Sequence, residues 1–233
     1  MIDINKHRYF LLQILRDVYS EISIASCLGF KGGTALMFFY DLPRFSVDID
    51  FNLICKDKEQ EVFGSLRQIL LKYGKIHDEA MKYYGSVIVL DYCVRERKLK
   101  IEVSNREFND RYEIKNFLGI NMKVMVREDM FAHKLCAFLD RPAMANRDIF
   151  DCWFFMKNRT PVNRTIVEGR MGVSYVEHLT NCISRLEQVN EKTLLQGMGQ
   201  LLDGKMKSFV KSKLRSELID YMKFYREFPV FEG

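Results

Sequence analysis

Residues 47–54, VDIDFNLI, alternate between apolar and polar side chains from Val47 through Leu53. Side chains along a strand leave opposite faces in turn, so Val47, Ile49 and Phe51 belong to one face and Asp48, Asp50 and Asn52 to the other. A strand with this pattern is half-buried and needs neighbours in a sheet. Its polar face puts two carboxylates side by side, where unpaired charge is costly without a cation. The rest of the chain can supply such a setting. It has 233 residues, 48% of them apolar and 29% charged, which fits one large domain or two small ones around a shared cleft and excludes disorder of the whole chain. Net charge is +5, which permits an anionic substrate without demanding one. No apolar run is long enough to span a membrane. The first residues read as an amphipathic helix rather than a signal peptide. Cys27, Cys55, Cys93, Cys136, Cys152 and Cys182 are scattered with no C-x-x-C pair, as expected of reduced thiols in a cytoplasmic protein. His7, His77, His133 and His178 lack the spacing of a zinc site.

Periodicity predicts a helix over 5–25, a short strand over 27–33 that breaks at two glycines, and a helix over 34–40. After the alternating strand come a helix over 58–73, strands over 84–94 and 98–104 joined by the charged turn RERK (95–98), and a short strand over 122–126. From there the pattern is helical, with helices over 127–139 and 147–158 and helical spacing from about 161 onward. The fold class is therefore α+β. A mixed sheet flanked by helices occupies 1–126, and a helical region, 127–233, is expected to complete the active-site cleft.

The chemistry-bearing constellation is Gly32-Gly33-Thr34, then Asp48-Ile49-Asp50, then Glu102 in KIEV. Two glycines between a strand and a helix let backbone approach a ligand closely. The following helix start offers free N–H groups and a positive dipole end, which suits phosphate. Thr34 adds a hydroxyl. Asp48, Asp50 and Glu102 together would make a hard-oxygen site for Mg²⁺ or Mn²⁺. Such a site can clamp a triphosphate and activate an attacking hydroxyl. Each part alone has a plain structural reading: a turn, a solvated strand face, a surface acid. Their order raises the odds of function.

The order Gly-Gly-Thr, Asp-h-Asp, h-Glu-h resembles the polymerase-beta-like nucleotidyltransferase superfamily. The longer blocks LGFKGGTALMFFYDLPRFSVDIDFNL, KLKIEVS and REDMFAHKLCAFLDRPAMANRDIFDCWFF resemble AbiEii-type toxins of type IV toxin–antitoxin, abortive-infection systems, over roughly 28–156. The resemblance implies a nucleotidyltransferase domain. Gly32, Gly33 and Thr34 would hold nucleotide phosphates, with Ser46 nearby. Asp48 and Asp50 would bind metal, and Glu102 would complete the metal site or act as base. Lys100 belongs to the K-x-E block on the nucleotide side. Lys134 would contact phosphate, and Asp148 and Asp151 would position Lys134 or the acceptor. A nucleoside triphosphate is the implied substrate, RNA (such as a tRNA end) or protein the implied acceptor, and a separately encoded antitoxin the implied partner. An arginine common in the family soon after Gly-Gly-Thr is replaced here by the region of Met37 and Phe38.

Alternatives stay open. The acceptor could be a small molecule, the reaction could be kinase-like attack at the γ-phosphorus, or the chain could bind nucleotide or RNA without turnover. Lys134, Asp148 and Asp151, with Arg141 and Arg147, could equally be an ion-pair network between helices. Residues 205–215 carry Lys205, Lys207, Lys211, Lys213 and Arg215 with no acid among them. That run reads either as an RNA-backbone contact or as a solvated helix face.

Overall fold

The computed structural model describes residues 3–94, 96–141 and 144–228. Arg95, the first residue of the expected RERK turn, lies outside them. The chain divides into two compact units. One runs to Glu107 and resumes at Tyr112–Met125; the other comprises Phe108–Arg111 and the chain from Val126.

The first unit is built on a seven-stranded sheet of order β3-β4-β5-β2-β1-β7-β6. Its strands are β1 (Leu28–Lys31), β2 (Ile49–Leu53), β3 (Lys75–Lys82), β4 (Gly85–Asp91), β5 (Leu99–Ser104), β6 (Tyr112–Phe117) and β7 (Ile120–Met125). The alternating segment is β2, the middle strand. It pairs antiparallel with β1, Lys31 opposite Asp50, and parallel with β5, Asp50 beside Glu102. Its apolar face is covered by α1 (Ile4–Ser20), whose Tyr19 ring meets Phe51 edge-on at 6.2 Å. The Tyr19 hydroxyl donates to the carbonyls of Leu28 and Lys123, tying α1 to β1 and β7.

The helix expected over 5–25 is broken at Glu21, which caps the short α2 (Ile22–Ala25) with its carboxylate. The helix after the glycines, α3 (Gly32–Phe39), begins two residues earlier than expected, so both glycines lie in its first turn. β3 and β6 escape hydropathic reading. Both are edge strands with mostly exposed side chains, as in KIHDEAMK, and no apolar alternation announces them. Asn52, assigned with the acids to a polar face, is buried and donates to the Tyr112 hydroxyl of β6 at 2.8 Å. α4 (Glu59–Leu71) completes this unit.

The second unit is helical: α5 (Arg127–Asp140), α6 (Asn146–Lys157), α7 (Arg164–Met171), α8 (Tyr175–Glu187), α9 (Gly204–Ser212) and α10 (Leu214–Glu227). Its core includes Phe131 stacked on Phe155 at 4.8 Å, with Tyr225 edge-on to Phe131. The buried Tyr225 hydroxyl donates to the Thr160 carbonyl. Trp153 is core, as its surroundings in the sequence suggest. All six cysteines are free thiols. No helix among the described residues is long and apolar enough to cross a membrane.

Candidate active site

The strand β1 ends at Lys31, and the chain turns through Gly32 with φ +79°, a left-handed conformation that glycine adopts without strain. A Cβ at Gly32 would run into the Asp50 carboxylate. At Gly33 a Cβ would fall 2.7 Å from Ser46 Oγ and 2.8 Å from Arg44 Nη2. Gly32 is required by its backbone and by the acid against it, while a side chain at Gly33 would force Ser46 and Arg44 to move. One abuts the acid of β2, and the other abuts the buried Arg44 and Ser46 of the loop before it. The Lys31 side chain provides no cap for α3.

Two interactions fix the entry to β2. The buried His7 of α1 donates from Nε2 to the Val47 carbonyl at 2.8 Å, while its Nδ1 faces the Tyr92 hydroxyl at 2.6 Å. Burial pushes the His7 pKa down, which keeps the ring neutral and suited to this one-donor, one-acceptor role. One residue on, the Thr34 hydroxyl donates to the Asp48 carbonyl. Thr34 is fully buried. Its hydroxyl, expected at a phosphate, instead holds the backbone of the first acid.

The side chains of Asp48, Asp50 and Glu102 belong to one face of the sheet by alternation and register, together with Lys31 and Lys100. Burial, followed by the negative charges of Asp48 and Glu102, holds the Asp50 carboxyl above its ordinary pKa; Lys31 and Lys100 oppose the shift without cancelling it. Lys100 bonds Glu102 at 2.7 Å. Burial would lower the Lys100 pKa, but that bond and the nearby acids outweigh it, and the ammonium stays charged.

The expected convergence of three carboxylates is not found as a ready-made cluster. Among the described residues no group of three or more His, Cys, Asp or Glu side chains is arranged to hold a metal ion. Glu102 bonds Lys100, and Asp48 and Asp50 are the other two carboxylates of this face. That pair fits Mg²⁺ or Mn²⁺, which need only one or two carboxylates when substrate phosphates and water fill the remaining positions. Burial and the two neighbouring acids, which raise the Asp50 pKa, are effects that a bound cation would offset.

The remaining expected site residues form a second cluster, within the helical unit. Lys134 of α5 reaches Asp148 Oδ1 and Asp151 Oδ2 of α6, each at 2.8 Å, and Arg141 meets Asp148 at 3.1 Å. Asp151 is fully buried and Asp148 nearly so. Asp148 and Asp151 thus share Lys134, as their i, i+3 spacing on one face allows.

Three residues near the acids were passed over in the sequence: His7, Lys31 and Arg44. The only signal available for Arg44 was its place two residues before Ser46 in the R-x-S-x-D-x-D block.

With this geometry in place, the chain can be compared with known proteins. The profile of the family described as "Nucleotidyl transferase AbiEii toxin, Type IV TA system" matches residues 13–218. The chain belongs to this family. It is a nucleotidyltransferase toxin, and its family implies a nucleoside triphosphate substrate and an antitoxin partner. Among solved structures, it is similar to a candidate nucleotidyltransferase from H. pylori, with 21% identity, 96% of this chain and 95% of that chain covered and a TM-score of 0.57. It is similar to JHP933 from Helicobacter pylori, with 22% identity, 96% and 92% covered and a TM-score of 0.56. It is also similar to MenT4, a nucleotidyltransferase toxin from Mycobacterium tuberculosis H37Rv, with 14% identity, 92% and 82% covered and a TM-score of 0.61. At these identities the likeness establishes a shared fold. No curated protein sequence matches the chain.

Proposed function

We propose that this toxin transfers a nucleoside monophosphate from a nucleoside triphosphate to an RNA acceptor, with a divalent cation held by Asp48 and Asp50. The observation that carries the reading is the crowding of Asp50. It sits beside Asp48 and Glu102, against the glycine turn, and is held above its ordinary pKa. A bound Mg²⁺ or Mn²⁺ would supply positive charge to the triphosphate and to the charge that develops on it. The Gly32–Gly33 turn and the backbone N–H groups at the start of α3 would receive phosphate oxygens. Ser46 and Lys100 lie on the nucleotide side. Thr34, His7 and Arg44 act through the backbone they hold.

The acceptor hydroxyl would attack the α-phosphorus in line. A new P–O bond forms, the bond to the β-phosphate oxygen breaks, and pyrophosphate leaves. Glu102, on the acid face and held by Lys100, would receive the hydroxyl proton. The resemblance assigns Lys134 to nucleotide phosphate, and that role belongs to the proposal beside its ion pairs with Asp148 and Asp151. Triphosphates and RNA place the reaction in the cytoplasm.

The test is incubation with each α-³²P nucleoside triphosphate, total cellular RNA, and Mg²⁺, Mn²⁺ or chelator. Asp48→Ala/Asp50→Ala is the control. Metal-dependent label in a discrete RNA band, in the wild type only, is the expected result. Label in protein or in a small molecule would move the acceptor to that class. Equal transfer by the double variant would remove these acids from the site.

A further inference from the structure

The basic run of residues 205–215 separates into two kinds of side chain. Arg215 is structural. Its guanidinium bonds Glu191 at 2.8 Å and the carbonyls of Glu187 and Val189 at 3.2 Å, pinning the start of α10. The four lysines behave differently. Lys205, Lys211 and Lys213 are exposed and Lys207 is partly so. Among the described residues none of the four has an acidic partner.

Helical geometry explains the division. Met206, Phe209 and Val210 turn one side of α9 inward. Phe209 packs on Trp153 with ring centroids 4.4 Å apart, and the Trp153 indole N–H donates to Glu217 of α10 at 3.0 Å. Lys207 and Lys211, four residues apart, stand together on the outward side, and Lys205 flanks the same surface. Between them lie Gly204, Ser208 and Ser212. The Ser208 hydroxyl donates back to the Gly204 carbonyl and the Ser212 hydroxyl to the Ser208 carbonyl, so neither stands up beside the ammonium groups. The exposed Lys157 of α6 joins the same neighbourhood, its ammonium 4.7 Å from the centre of the Trp153 ring. The result is a row of exposed lysines on a helix seated by Phe209 on Trp153, with no acid between residues 205 and 215.

We infer that the outward face of α9, with Lys205, Lys207 and Lys211, together with the exposed Lys213 that ends the helix and Lys157 of the neighbouring α6, docks the phosphate backbone of an RNA. The inference rests on the RNA-acceptor reading above and assigns it a surface. Charge complementarity selects the partner. Lysine ammonium groups spaced along a helix match a regular row of phosphates, and they contact it without reading base edges. Binding should therefore depend strongly on salt and weakly on sequence.

The experiment uses the full chain carrying Asp48→Ala/Asp50→Ala, without nucleoside triphosphate, so that no turnover intrudes. Fluorescence anisotropy follows end-labelled bulk transfer RNA from low to high salt. Lys207→Ala/Lys211→Ala is compared with Lys75→Ala/Lys82→Ala, which removes the same charge from β3. The fourfold variant of Lys205, Lys207, Lys211 and Lys213 is added, with a thermal melt to show that each variant folds. The expected result is a salt slope reduced by about one per α9 lysine removed. The fourfold variant should bind about tenfold more weakly or worse, while the β3 pair changes little.

Equal losses from the two pairs would assign the effect to net charge and overturn the surface. So would unchanged binding by the fourfold variant. Equal-part phosphatidylglycerol–phosphatidylcholine vesicles bound as tightly as RNA, and lost on the same substitutions, would make this a membrane face instead. Loss of the surface with RNA still labelled by the wild type would leave nucleotidyl transfer standing. Lysine-dependent binding with no label entering RNA would do the reverse.

Discussion

On the sheet of the first unit three acids, Asp48, Asp50 and Glu102, share a face with two lysines, Lys31 and Lys100. In the helical unit two acids, Asp148 and Asp151, share Lys134, and Arg141 adds a second cation. In the first group Asp50 holds its proton more tightly than usual, chiefly because it is buried and then because Asp48 and Glu102 stand beside it. The second is balanced within itself, with short contacts from Lys134 to both acids. Both read as acidic motifs in the sequence. In the second each acid has a cation at 2.8 Å, and that network holds α5 to α6 whatever else it contacts; on the first, the buried Asp50 is the acid whose charge is disfavoured.

The comparison breaks most directly at Asp50. Asp50→Asn should cut nucleotidyl transfer about a thousandfold while leaving the protein at least as stable near neutral pH. The sign follows from the raised pKa. A carboxyl that holds its proton more tightly folded than unfolded adds stability at low pH, and that stability is lost as pH rises from the ordinary carboxylate value through the raised one. Asparagine removes that slope. Thermal melts across this range should be flatter for the variant; a variant that melts lower at neutral pH would show that Asp50 is paired after all.

Lys134→Met should behave oppositely, with the fold as its main casualty. It leaves the fully buried Asp151 and the nearly buried Asp148 short of a cation, at a cost of about 3–5 kcal/mol. Urea unfolding measures this, and activity has to be read only where the variant is folded. A melt matching the wild type would mean that the cluster is not structural.

Gly32→Ala is smaller. The left-handed backbone costs about 1–2 kcal/mol in a non-glycine residue, and the new methyl group displaces the Asp50 carboxylate. Cation affinity should fall more than stability, which titration calorimetry and a melt distinguish. Smallest is Thr34→Val, which removes the donor to the Asp48 carbonyl and costs about 1–2 kcal/mol. Its transfer rate should drop modestly with nucleotide affinity nearly unchanged. A large loss of affinity instead would return the hydroxyl to the phosphate.

What the sequence disclosed follows the same physics. VDIDFNLI announced β2 because apolar and polar residues alternate there from Val47 to Leu53. CLGFKGG announced the turn because paired glycines mark it, and Gly32 takes the left-handed backbone that favours glycine. The family blocks then ordered the acids. KIHDEAMK and YEIKNF did not announce β3 and β6, since an edge strand with little apolar burial carries no hydropathic signature. His7, Lys31 and Arg44 were illegible for another reason. Each is a single residue whose importance comes from a neighbour distant in the chain, Val47 for His7 and Gly33 for Arg44. Thr34 was legible as a member of the turn, but the direction of its hydroxyl was not.

The position of β2 in the middle of seven strands has a consequence for how this toxin can be silenced. Its backbone is bonded to β1 on one side and β5 on the other, so its amides should be among the slowest in the unit to exchange with solvent. Terminal fraying or loosening of an edge strand would leave Asp50 where it is. An inhibitor aimed at β2 would therefore cover its acid-bearing face or change its charge, because displacing the strand itself means melting the sheet.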